Sequence, residues 1–301
     1  MHVSASDSNF YSQSHRLFRL NNSIGFCIFL ILGIASIQPT NAGSLINQYP
    51  HTSEYLLNSG ETVALPLRVE SLQGIALLGT ISCEKAAAAI DVPDLYPLKI
   101  TNEQCLGVIY ALNYLQGSLG PYSEVITLLG VTADADAAPL TGLLSFGVTF
   151  APELKDLLEG KLPQAGMLFR EIALTSQYAV DAGIEIWGIP KVLEPSISVD
   201  IFDWGTTIDV QSSLFSFHLE KALWVPFFAS MKLDSWTPQA PHPATTRFQT
   251  LLKGFTTLGP VLSTSHFQLG TVLHDLDFKP YIWQHIWKGT DAVFFEGDVP
   301  N

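Results

Sequence analysis

Of the ten lysines that follow residue 42, most sit in polar surroundings such as KDLLEGK (155–161) or HLEKA (218–222), where the ammonium group stays solvated. Lys191 is placed differently. It follows Gly188 and Pro190 in AGIEIWGIPKVLEPSISVD (182–200), with Trp187 and Ile189 before it and Val192 and Leu193 after it. An amine held against apolar walls loses solvation in its charged form, which populates the neutral, nucleophilic form near neutral pH. Such an amine condenses with a ketone to an imine, an electron sink for breaking or forming carbon–carbon bonds. The plainer reading is a lysine exposed after a proline turn.

Sharper signatures are missing. The chain has no G-x-S-x-G elbow, no G-x-x-x-x-G-K, no G-x-G-x-x-G and no H-E-x-x-H. Histidines 51, 218, 242, 266, 274 and 285 are scattered, and no two share a close ligand spacing. His274 and Asp275 are adjacent, and on a strand they would point to opposite faces, so they are not read as a catalytic pair. Neither a metal nor a cofactor is expected.

Residues 1–42 read as a secretory signal: a basic HRLFRLNN (15–22), an apolar IGFCIFLILGIAS (24–36), then small residues Thr40 and Ala42 suited to cleavage before Gly43. The apolar run is short for a membrane span, and the rival reading is an uncleaved anchor. Cleavage implies a secreted or periplasmic protein with no stable membrane insertion afterwards. It removes Arg16, Arg19 and Asp7 and leaves a net charge of −14, against −13 for the whole chain. So acidic a protein repels phosphate backbones and anionic lipid surfaces, which excludes nucleic acid and favours small molecules as partners. Only Cys83 and Cys105 remain, either as a disulfide or as two buried thiols.

The elements that must position Lys191 belong to one domain, 43–301, with no repeat or low-complexity linker. VALPLRVESLQGIALLGTI (63–81), QCLGVIYALNYLQG (104–117) and YSEVITLLGVTAD (122–134) read as strands, the last two separated by a turn at Gly120-Pro121. SCEKAAAAI (82–90) reads as a helix capped by Ser82, and SQYAVDAG (176–183) as a short helix ended by Gly183. Residues 141–150 continue the strands, and 151–162 suit a charged surface helix. SISVDIFDW (196–204), TTIDVQSSLFSFHLE (206–220), LWVPFFASMKLDSW (223–236) and STSHFQLGTVLHDLDF (263–278) alternate like strands. PYIWQHIWKG (280–289) is predicted to be an amphipathic helix. Many strands and few helices point to an antiparallel-rich α+β fold or a closed barrel.

Against that background, GIEIWGIPK (183–191) resembles the G-R-E-x-x-G/A-x-P-K-K segment of the acetoacetate decarboxylase family. SCEKAAAAIDVPDLYPL (82–98), GPYSEVI (120–126), SQYAVDAG and VLEPSISVD (192–200) match further family segments in the right order. The resemblance implies an α+β fold of the acetoacetate decarboxylase-like type, a closed or partly closed β-barrel or cone with a few short helices, assembled as a homo-oligomer. It makes Lys191 the imine-forming nucleophile, Glu124 the acid/base or substrate-positioning carboxylate and Glu185 an organiser of the site. Arg68, Tyr122, Trp187 and Val192 become candidates for contacting substrate. The chain departs from the motif at Ile184, where the family has arginine, and at Val192, where it has a second lysine.

The expected function is a lysine-imine lyase, a decarboxylase-like carbon–carbon lyase acting on a small β-keto acid or ketone without a cofactor. The alternatives are an aldolase- or dehydratase-type imine enzyme that keeps the carboxylate, and a non-catalytic small-molecule-binding protein on the same fold.

Overall fold

The computed structural model describes residues 45–140, 156–157, 162, 164–202, 207–220, 224–237, 246–257 and 266–296. The expected signal at 1–42, the strand at 141–150 and most of the helix at 151–162 lie outside the described residues.

A 3-10 turn at Leu45–Gln48 leads into the hairpin of β1 (Ser53–Leu56) and β2 (Thr62–Leu65). Then come β3 (Leu67–Ser82), helix α1 (Cys83–Ala89), β4 (Tyr96–Pro97), β5 (Gln104–Gly117) and β6 (Tyr122–Thr132). The Ser82 hydroxyl accepts the Lys85 N–H at 3.4 Å, the N-cap expected from SCEK. β7 (Ala165–Leu174) and helix α2 (Gln177–Trp187) precede β8 (Lys191–Leu193). The rest is β9 (Ser198–Phe202), β10 (Thr207–Gln211), β11 (Phe215–Glu220), β12 (Trp224–Trp236), β13 (Thr246–Thr257), β14 (His266–Leu269), helix α3 (Thr271–Asp275) and β15 (Lys279–Glu296).

One large sheet runs β4-β6-β5-β3-β15-β13-β12-β7-β8, with β6 pairing β7 as well; a second runs β14-β11-β10-β9. Most pairs are antiparallel, and β7 is parallel to both β12 and β8. The two faces of the large sheet carry different cores. On one face Leu72, Leu112, Tyr114, Tyr122, Ile126, Ile172 and Leu174 join Ala179, Val180, Ala182 and Trp187 of α2. On the other, Ile75, Ile109, Val125 and Ala173 meet Val199, Ile208, Val210 and Phe217 of the second sheet. Strand alternation sorts these residues: Tyr122, Glu124 and Ile126 share the α2 face, while Val125 turns to the second sheet. A disulfide joins Cys83 to Cys105 across a sequence separation of 22 and ties α1 to β5. Closing a loop of that length stabilises by about 3 kcal/mol through the unfolded chain. Among the described residues no helix is long and apolar enough to cross a membrane.

Three expectations are corrected. Residues 280–289 form part of β15, not a helix. The strand's register shifts between Pro280 and Ile282 and between Ile286 and Thr290, so its apolar positions lose the period of two that marks a regular strand. Residues 263–278 are not strand throughout, because β14 ends at Leu269 and Gly270 opens α3. And α2 does not stop at Gly183: it continues to Trp187 and is closed by Gly188, whose φ of 63° is the left-handed conformation that glycine adopts without strain.

Candidate active site

Lys191 and Glu124 come together although they are 67 positions apart in the sequence. Glu124 of β6 stands opposite Leu174 of β7, and Ile172 of β7 stands beside Lys191 of β8. Ile172 and Leu174 both belong to the α2 face, so the two polar residues lie on one face with β7 between them. Lysine is long enough to cross that strand. Its Nζ lies 2.8 Å from Glu124 Oε1, with side-chain exposures of 9% for the lysine and 3% for the glutamate.

Helix α2 makes room for this reach. Gly183 sits inside the helix on its buried side, and a Cβ there would overlap Cδ and Cε of Lys191. The lysine stem therefore runs over bare helix backbone. The same glycine holds the chain that returns to the lysine: its carbonyl accepts the Ile189 N–H at 3.0 Å, just after the turn at Gly188. Pro190 and Lys191 follow directly, and β8 begins.

Two tyrosines are buried near the carboxylate. Tyr114 and Tyr122 are directly opposed on β5 and β6, and their rings stack with centroids 4.4 Å apart. The Tyr114 and Tyr122 hydroxyls are buried near the Glu124 carboxylate and feel its charge. Burial, reinforced by the negative charge of Glu124, pushes both hydroxyls well above the usual tyrosine range, so they stay protonated. A buried carboxylate is tolerated when it is paired, and here the Lys191 ammonium pairs it.

Tyr122, expected at the site, is in this cluster. Tyr114 was not foreseen, although it stands as far before residue 118 as Tyr122 stands after it, the symmetry of a hairpin about its turn.

The other expected residues are placed elsewhere. Glu185 lies on α2 with its carboxylate accepting the Asn58 N–H at 2.9 Å, fastening the helix to the β1–β2 hairpin instead of facing Lys191. Trp187 is buried, and its indole N–H donates to the Phe295 carbonyl at 3.3 Å; it docks α2 on β15. Val192 follows Lys191 on a strand and so points away from it, 56% exposed. A lysine at 192 would share that direction. Arg68 pairs in register with Val293, which belongs to a small cluster with Leu45 and Phe295 on the face opposite the α2 core. This puts Arg68 on the face of the sheet away from Lys191. Ile184 is 43% exposed on α2. His274 and Asp275 lie on α3, exposed and 3.5 Å apart, and form no site with Lys191.

No protein-family model and no curated protein matches the chain. Solved structures similar to it include an acetoacetate decarboxylase from Legionella pneumophila, at 14% identity and a TM-score of 0.44, covering 88% of this chain and 98% of that one. An acetoacetate decarboxylase-like enzyme from Sphingomonas wittichii RW1 is similar at 12% identity and a TM-score of 0.38, covering 77% of this chain and 91% of that one. The enduracididine biosynthesis enzyme MppR, solved with pyruvate, is similar at 9% identity and a TM-score of 0.41, covering 78% and 92%. Likenesses this distant assign no role to any residue here.

Proposed function

We propose that the protein is an imine-forming lyase in which Lys191 is the nucleophile and Glu124 its proton acceptor and donor. The observation that carries this reading is the buried contact of 2.8 Å between the Lys191 amine and the Glu124 carboxylate. The pairing of β6 with both β5 and β7 supports reading the large sheet as a partly closed barrel with this pair on its inner face.

Glu124 takes a proton from the Lys191 ammonium, and the amine's lone pair attacks the substrate carbonyl carbon. The carboxylic acid then returns the proton to the carbinolamine oxygen, which leaves as water and gives an iminium ion. The iminium accepts the electron pair of the bond broken next to it, a carbon–carboxylate bond, another carbon–carbon bond or a carbon–hydrogen bond. Protonation of the resulting enamine and hydrolysis free the lysine.

The position of Arg68 favours the version that keeps or never has a carboxylate. A β-keto acid needs a cation beside the lysine for its carboxylate, and the arginine expected to provide one is on the other face of the sheet. A small neutral ketone or aldehyde, undergoing an aldol-type or dehydration step, suits the site better. Export with cleavage near Ala42 and assembly into a homo-oligomer complete the reading; N-terminal sequencing and light scattering test them.

The decisive experiment is trapping. The purified protein is incubated in parallel with acetoacetate and with neutral ketones and aldehydes, reduced with borohydride and digested for mass spectrometry. A reduced adduct on Lys191, absent from Lys191→Ala, is the expected result, with carbon dioxide release distinguishing decarboxylation. No adduct with any carbonyl compound would leave the non-catalytic binding reading in its place.

A further inference from the structure

Tyr110 of β5 lies in the same cross-strand row as the lysine. It stands opposite Ile126 of β6, Ile126 opposite Ile172 of β7, and Ile172 beside Lys191 of β8. Its ring packs against the α2-face core that holds Ile126 and Ile172, so it shares their face. Glu124 stands opposite Leu112, two residues further along β5, which makes Tyr110 its diagonal neighbour. Such neighbours are about 7–8 Å apart, within reach of an aromatic side chain. Tyr114 and Tyr122 stand on the other side of Glu124, away from the lysine's row.

Among the described residues the Tyr110 hydroxyl has no hydrogen-bonding partner, and burial alone pushes it up to about 12. It therefore stays protonated near neutral pH and is available as a donor. The residue nevertheless keeps accessible surface, whereas its chain neighbours Ile109 and Ala111 are sealed into the core on the other face. A hydroxyl held deep in the protein without a partner costs stability, and such a group calls for an explanation. A bound molecule with an acceptor oxygen would supply the missing partner.

We propose that Tyr110 is a further catalytic residue, whose hydroxyl donates a hydrogen bond to the carbonyl oxygen of the substrate as Lys191 attacks. The inference rests on the imine reading given above. As the carbon–nitrogen bond forms, the π electrons of the carbonyl move to its oxygen, and a donor aimed there stabilises the negative charge. Tyr110 keeps its own proton throughout. The proton with which the oxygen leaves as water comes from Glu124, as before. An uncharged donor of this kind suits the oxygen of a neutral ketone or aldehyde.

Tyr110→Phe removes the hydroxyl and keeps the ring. With no partner to lose, the variant should melt at or above the parent's temperature; a lower melting temperature would reveal a structural bond and overturn the proposal. The rate at which acetone is trapped on Lys191 by borohydride should fall about 100-fold. An equal rate in the two proteins would overturn the proposal and leave the imine reading standing. N-methylacetamide is the second probe, because it offers a carbonyl oxygen but does not condense with an amine. Its binding, followed by saturation-transfer NMR, should weaken in Tyr110→Phe. That outcome would keep Tyr110 as a carbonyl-oxygen donor even if the parent trapped no ketone, the result that removes the imine reading alone. Amide binding equal in both proteins, or absent from both, would overturn the proposal.

Discussion

Lys191 and Glu124 meet across an intervening strand: their side chains close to 2.8 Å over β7, whose Ile172 and Leu174 stand beside one and opposite the other. An ion pair built this way depends on three strands keeping register, since a slip of one residue would send either partner to the opposite face.

The pair is expected to show strong non-additivity. Replacing one partner leaves the other charge buried alone, so Glu124→Gln or Lys191→Met should each cost about 3–5 kcal/mol of stability. The double variant should lose much less than the sum. Urea unfolding of the four proteins measures the coupling, and additive losses would show that the two groups do not interact.

Gly183→Ala separates function from folding. The added methyl meets Cδ and Cε of a flexible side chain, so the lysine gives way before the helix does. Helix propensity alone favours alanine by about 1 kcal/mol. The variant should melt within that margin of the parent, yet lose borohydride trapping at Lys191. Unchanged trapping would show that the lysine reaches its position without the bare backbone.

Tyr114→Phe removes a buried hydroxyl near the Glu124 carboxylate while keeping the stacked ring. A loss of about 0.5–3 kcal/mol is expected. Because the hydroxyl lies in the surroundings of Glu124, the pH dependence of adduct formation should shift, whereas a purely structural role would lower stability and leave that profile in place.

Glu171 gives a test of the pH sign. Burial raises its carboxyl above the ordinary value, with Arg170 opposing, so the folded state binds its proton more readily than the unfolded chain. The group therefore destabilises the fold above its folded pKa, and this penalty fades as pH drops through that value towards the unfolded one. Glu171→Gln should be more stable than the parent at pH 7 and converge with it near pH 4, as followed by thermal melts across that range.

The sequence exposes the lysine and conceals most of its surroundings. Apolar flanks single out Lys191, and hairpin alternation places β5 and β6, because both signals are local. Glu124 is reached only through the family resemblance, since no spacing rule links residues on strands that are not neighbours. Gly183 misleads because glycine serves two ends: it can stop a helix, or it can leave a helix bare for a neighbour, and here Gly188 does the first and Gly183 the second. The face that Arg68 takes is hidden because it depends on the register of β3, and residues adjacent on a strand face opposite ways.

β8 begins at Lys191, has three residues, ends the large sheet and exposes both Val192 and Leu193. Such an edge opens at a small fraction of the free energy that unfolds the core. Its amides should exchange with solvent hydrogen far sooner than those of β6, so Lys191 occupies an edge strand of the sheet while Glu124 occupies an inner one. On warming, borohydride trapping at Lys191 should fade before the global transition, with Glu124 still in place and the amine already detached.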